Sequence, residues 1–142
     1  MSRLMNLLQE GRRREREQAL FYRILAGDAE VAGNQATAER LNELLADEQH
    51  HVSRLTARIL ELGGAPLESE VAPDVPELGR WESVAREREG KEVTWYEAAL
   101  ARVEDTVTRA VLEEILESER HHRSELAGKW MSAAPPQPEE RA

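Results

Sequence analysis

The chain has 142 residues, of which 40% are apolar and 33% charged, enough for one compact domain and too few for two ordinary ones. A net charge of −9, from 28 acids against 19 bases, argues against nucleic-acid phosphate as a partner. The absence of cysteine excludes disulfides, zinc ribbons, iron–sulfur clusters and thiolate catalysis. No apolar run approaches the roughly 18 residues of a membrane span. Met1–Leu8 lacks an apolar leader with a small-residue cleavage site, and Glu10 and three arginines from Arg12 to Arg14 follow at once. A soluble, intracellular, cytoplasmic protein is the expectation, with neither membrane nor nucleic acid as partner.

Ala, Leu, Glu and Arg dominate, and these residues lose little rotamer freedom in a helix, so the composition predicts an all-α fold. Prolines are confined to Pro66–Pro76 and Pro135–Pro138. A first helix is predicted from Arg3 to Ala32, with Leu4, Leu7, Leu8, Ala19, Tyr22, Leu25, Ala26 and Ala29 forming one apolar stripe. Gly33 suits the left-handed residue after a helix and Asn34 the N-cap of the next. The second helix, Gln35 to Leu62, carries Leu41, Leu44, Leu45, Val52, Leu55, Ile59 and Leu62 on one face and stops at Gly63–Gly64. Ala65–Gly79, with three prolines, reads as an extended connector. A third helix over Arg80–Glu104 aligns Val84, Ala85, Val93, Tyr96, Leu100 and Val103. The fourth, Thr106–Met131, aligns Val107, Val111, Leu112, Ile115, Leu126 and Trp130. No Gly or Pro separates these last two. Asp105 is nevertheless a good N-cap, and the β-branched run Thr106-Val107-Thr108 lowers local helix propensity, so a tight turn is placed there. The polar, Pro-rich segment Ser132–Ala142 reads as a disordered tail.

Acids and histidines interrupt the apolar stripes. Glu48 and His51 fall within the row Leu44–Leu45–Val52–Leu55, and Glu119 and His122 fall between Ile115 and Leu126. A buried carboxylate costs several kcal/mol unless it is paired or holds a metal. Residues three apart point the same way from a helix, so each Glu-x-x-His offers one oxygen and one nitrogen to a single ion. The motif is common on solvated faces, but here it occurs twice in nearly the same words, Glu48-Gln49-His50-His51 and Glu119-Arg120-His121-His122. The helix before each pair repeats a second feature. Glu15 stands seven residues before Tyr22 and Glu89 seven before Tyr96, and each tyrosine follows an aromatic, Phe21 or Trp95. Seven residues are about two helical turns, so each Glu shares a face with its Tyr.

The chain therefore reads as a bundle of two antiparallel helical hairpins, 3–63 and 80–131, joined by a long crossover, 64–79. Related by a pseudo-two-fold, the hairpins bring four carboxylates and two imidazoles to the centre, the ligand set of di-iron and di-manganese carboxylate bundles. Oxygen-rich sites with one imidazole per ion suit Fe or Mn. The crossover must travel about 35 Å along the bundle, and some 17 extended residues reach about 55 Å.

Glu15…Tyr22…Glu48-x-x-His51 and Glu89…Tyr96…Glu119-x-x-His122 resemble the ferritin-like superfamily, nearest to rubrerythrin-type and encapsulated-ferritin-type domains, over residues 5–130. The resemblance implies that Glu48 and Glu119 bridge two metal ions, with Glu15, Glu89, His51 and His122 as terminal ligands. It also implies that Tyr22 and Tyr96 hydrogen-bond ligand carboxylates, orienting and tuning the site. Glu92, three after Glu89, is similar to rubrerythrin's extra carboxylate and joins the expected metal ligands. The implied activity is binding of two Fe(II) and their oxidation by O2 or H2O2, as a ferroxidase or peroxidase, in a homo-oligomer that is free in the cytoplasm or inside a protein compartment. No Cys-containing rubredoxin domain is present, so a peroxidase of this kind needs an external electron donor.

Two other readings fit the same residues. One is a manganese catalase-like enzyme, since O/N ligands do not sharply separate Mn from Fe. The other is a metal-free helical interaction module whose Glu and His are surface charges. His50 and His121, turned about 100° from the ligand faces, are expected at the rim. Trp81, Trp95 and Trp130 are expected to pack, and the arginines at 12–14 to be solvated.

Overall fold

In the computed structural model, which describes residues 2–129, helices form where straight-chain residues run uninterrupted and stop at glycine, proline or a capping side chain. Helix α1 spans Arg3–Val31, α2 Gln35–Glu61, α3 Trp81–Leu100 and α4 Thr106–Ser124. Ser2 caps α1 by accepting from the Met5 N–H, and Asn34 caps α2 by accepting from that of Thr37. Gly33 and Gly63 end the first two helices at φ +75° and +87°, a left-handed backbone that a Cβ would strain.

The turn placed at Asp105 is present. Asp105 Oδ2 accepts from the Thr108 N–H at 2.9 Å, and Arg58 reaches the same oxygen at 2.8 Å. Helix α3 ends at Leu100, four residues before the predicted Glu104. Arg109 explains the early stop: its Nη1 donates to the carbonyls of Leu100 and Val103 at 2.6 and 2.9 Å, satisfying acceptors that a longer helix would have bonded internally. Val103 still tucks into the core. Two residues predicted on buried stripes are exposed, Val107 at 52% and Leu62 at 39% beyond the last turn of α2, while Leu4, Ala19, Val52, Val84 and Leu100 are half-buried. Thr108 is the buried residue of α4's first turn. The regular helix α4 gives way at Glu125–Lys129 to a wider π turn, from which Leu126 remains buried. Trp130, Met131 and the predicted tail 132–142 lie outside the described residues.

Helix α1 packs along α2 and α3 along α4, giving two hairpins in a four-helix bundle. Between hairpins the backbones of α2 and α4 approach one another, while α1 and α3 meet through long side chains. The crossover runs lengthwise beside α1. Gln9 donates to the Ala65 carbonyl at 2.8 Å, Arg12 to that of Leu67 at 2.9 Å and Arg16 to that of Ser69 at 2.8 Å. Val75 and Leu78 then pack against the apolar cluster that contains Phe21 and Leu25, and a 3₁₀ turn at Leu78–Arg80 leads into α3. Arg12 is therefore not solvated as predicted: it is 9% exposed and also bonds Thr56 and Glu68.

The apolar core is divided in two. One layer contains Leu8, Leu55, Ile59, Val93, Leu112 and Ile115; the other contains Phe21, Leu25, Leu41, Leu44, Ala85 and Leu126. The first layer draws on all four helices and the second on α1, α2, α3 and the π turn that follows α4; between them lies a slab of buried polar side chains.

Candidate metal centre

The slab is built by the stripes themselves. Because i, i+3 and i+4 positions share a face, Glu48 and His51 of α2 point where Leu44 and Leu55 point, and Glu119 and His122 of α4 point with Ile115 and Leu126. Glu15 of α1 and Glu89 of α3 complete the set. All four carboxylates are 0% exposed, and His51 and His122 are 2% and 1% exposed.

The ligand-type atoms form two overlapping quartets, each lying within 4.8 Å: Glu15, Glu48, His51 and Glu119 in one, and Glu48, Glu89, Glu119 and His122 in the other. Glu48 and Glu119 belong to both. Each imidazole turns Nδ1 inward. His51 Nδ1 lies 3.2 Å from Glu15 Oε1, 3.2 Å from Glu48 Oε1 and 3.3 Å from Glu119 Oε2. His122 Nδ1 lies 3.2 Å from Glu119 Oε1, 3.4 Å from Glu48 Oε2 and 3.6 Å from Glu89 Oε2.

The tyrosines bond across the bundle rather than to the glutamate of their own helix. Tyr22 of α1 donates to Glu89 Oε2 of α3 at 2.6 Å, and Tyr96 of α3 donates to Glu15 Oε2 of α1 at 2.6 Å. The neighbours exchange in the same way. Arg14 of α1 lies over the Trp95 ring and Arg88 of α3 over the Phe21 ring. Each exchange is what a two-fold between the hairpins requires.

Glu92 stands outside both quartets. Arg14 grips it with two hydrogen bonds of 3.0 and 3.1 Å, so this predicted ligand is engaged elsewhere, and Arg14 is not simply solvated. Burial still lifts the Glu92 carboxyl to about 7, against the pull of Arg14. His50 and His121 are exposed and pair with Glu114 and Glu125. Trp81 is buried and Trp95 half-buried.

Sequence reasoning passed over two residues. Gln18 Nε2 donates to Glu89 Oε2 at 3.3 Å, and Asp47 Oδ2 accepts from His122 Nε2 at 2.8 Å. A signal for the first was present, since Gln18 follows Glu15 by three residues as Glu92 follows Glu89. Asp47 is adjacent to Glu48, but only the approach of α4 to α2 reveals its partner.

Crowding four carboxylates in an apolar sandwich disturbs their titration. Burial first, then the charges of Glu15 and Glu89, pushes Glu48 up to about 8. Glu119 is raised by burial and by the charges of Glu15, Glu48 and Glu89. For Glu15 and Glu89 burial is outweighed by hydrogen bonds, chiefly from His51 and His122 respectively, and both are lowered. The imidazoles are raised to about 10 at His51 and about 12 at His122, because burial is outweighed by their carboxylate neighbours. Protons thus compensate the buried charge.

That compensation is incomplete. Glu48 Oε2, Glu89 Oε1 and Glu119 Oε2 are buried with no hydrogen bond among the described residues, although His122 and His51 stand 3.4 and 3.3 Å from the first and last; a wholly unmet group of this kind costs about 1–3 kcal/mol. Divalent cations would satisfy these oxygens, and the donor set of four carboxylates and two imidazoles is chemically suited to two of them. Four negative charges also balance two such ions. No helix among the described residues is long and apolar enough to cross a membrane. No protein-family model matches this chain, and no curated protein matches it.

Proposed function

We propose that this chain is a ferritin-like di-metal protein that takes up two Fe(II) ions in its polar slab and oxidises them with O2 or H2O2. The observation that carries this reading is the pair of fully buried quartets sharing Glu48 and Glu119. Two shared carboxylates suit ions held close together, and two end groups, Glu15 with His51 and Glu89 with His122, suit one ion each. Bound iron would supply the redox chemistry, each ion giving up one electron to the oxidant.

The protein's own part is positional. Tyr22 and Tyr96 hold one oxygen of Glu89 and Glu15 and so fix which oxygen faces the centre. The apolar layers on either side keep bulk water out and strengthen every charge interaction between them. The six groups do not behave as the solvated charges of an interaction module, since none is more than 2% exposed. A peroxidase role would draw electrons from an external donor.

Anaerobic incubation with Fe(II), desalting and metal analysis tests the reading, followed by mixing with O2 or H2O2. About two iron ions per chain and their oxidation are expected. Retention of no iron overturns the proposal. Exclusive retention of Mn(II) from an equimolar mixture, with H2O2 disproportionation, would replace it by the catalase-like reading.

A further inference from the structure

The two hairpins align at a constant offset within each helix pair, so each residue around the slab has a counterpart. Asp47 precedes Glu48 on α2; its counterpart preceding Glu119 on α4 is Ser118. The substitution matters because of what each residue faces. Asp47 accepts from His122 Nε2 at 2.8 Å, while His122 Nδ1 faces the carboxylates. A ring held through Nε2 by a carboxylate has its plane and tautomer set, with Nδ1 aimed at the centre. This arrangement raises ligand basicity and removes the entropy of ring rotation. On the opposite side Ser118 makes no side-chain hydrogen bond among the described residues, and His51 is bonded only through Nδ1.

A second difference favours the same side. Gln18 donates to Glu89 in addition to Tyr22. Its counterpart Glu92 is turned to Arg14 and gives Glu15 no hydrogen bond. Glu89 and His122 are therefore both held from outside, whereas on the other side only Glu15 is held, by Tyr96 alone apart from the cluster itself.

We infer that the two cation positions are unequal: the one at Glu89 and His122 binds its ion more tightly and fills first, with Asp47 as its positioning residue. This inference rests on the di-metal reading above. Outer partners of ligating histidines typically contribute about 10–100-fold in metal affinity, so two resolved binding steps are expected. The Asp47 side chain is 55% exposed, and replacing it leaves both apolar layers intact.

Equilibrium titration of the full chain with Co(II), followed by visible absorption, tests this without reference to turnover. Wild type should take up Co(II) in two steps. Asp47→Asn should weaken the tighter step about 10–100-fold and leave the weaker step in place, while Asp47→Glu restores part of the loss. Ser118→Asp should tighten the weaker step and narrow the gap. Glu15→Ala should keep the tight step and Glu89→Ala should lose it. Uptake of two ions in one unresolved step by wild type, or an equal shift of both steps in Asp47→Asn, overturns the inference and leaves the di-metal reading standing. Failure to bind Co(II) at all overturns both.

Discussion

Gln18 on α1 and Glu92 on α3 occupy equivalent places, each three residues after the glutamate its helix contributes to the slab, and they behave in opposite ways. Gln18 reaches across to Glu89 and is itself anchored by Arg88 at 2.5 Å. Glu92 reaches across to Arg14. The exchange of arginines is the same in both halves; only the residue between them differs. A neutral amide can donate to a neighbouring carboxylate, whereas a second carboxylate repels it and takes the cation instead. The two hairpins thus keep the six central groups as matched pairs while their surroundings diverge. Symmetry is strict where the chemistry is shared and relaxed one residue further out.

The largest expected effect comes from the residues that belong to both halves. Glu48→Ala together with Glu119→Ala should abolish retention of two ions and Fe(II) oxidation, measured by metal analysis and stopped-flow absorbance. Its apo fold should be as stable as wild type or more so in thermal denaturation, because two buried carboxyl groups with unsatisfied oxygens are removed. Full iron oxidation by that variant would mean that the two halves do not share a centre.

Proton release sharpens the comparison next. At pH 7 Glu48, His51 and His122, raised to about 8, 10 and 12, carry protons that ligation must displace, and Glu119 is raised in the same direction. Loading two Zn(II) ions should therefore release at least about three protons per chain, read by calorimetry in buffers of differing ionisation enthalpy. Release of two or fewer would show that the shared carboxylates are already ionised.

Stability against pH follows with a defined sign. His51, raised from 6.5 to about 10, keeps a proton in the fold that the unfolded chain loses, so its contribution is complete below pH 6.5 and disappears as pH rises to 10. Glu48, raised from 4.5 to about 8, disfavours the fold progressively between those values. The apo protein should lose thermal stability from about pH 6.5 to 10, and the Zn(II)-loaded protein should not. A flat apo profile would contradict these shifts.

The smallest effects concern the crossed tyrosines. Tyr22→Phe and Tyr96→Phe each remove one 2.6 Å hydrogen bond to a buried carboxylate, at about 2 kcal/mol each in chemical denaturation. Near-equal losses would support the two-fold at this level; a loss confined to one variant would break it.

Much of this was legible along the chain. The bounds of α1 and α2, the capping roles of Asn34 and Asp105 and the crossover were readable from periodicity, glycine and proline. So was the polar interruption of each stripe, because a helix displays every third or fourth residue on one face whatever it later packs against. The end of α3 was not readable, since Arg109 terminates it from the following helix. The role of Arg12 was not readable either, because its partners lie on α2 and in the crossover, 44 to 56 residues away.

Local spacing placed the four helices and put all six central side chains on the apolar stripes, since the face a residue occupies is a property of one helix. Tertiary structure alone decided that Tyr22 serves Glu89 and not Glu15, that Glu92 belongs to Arg14, and that Asp47 stands behind His122. Those pairings are distances between helices, and the direction in which a side chain is shared depends on how two rods are docked.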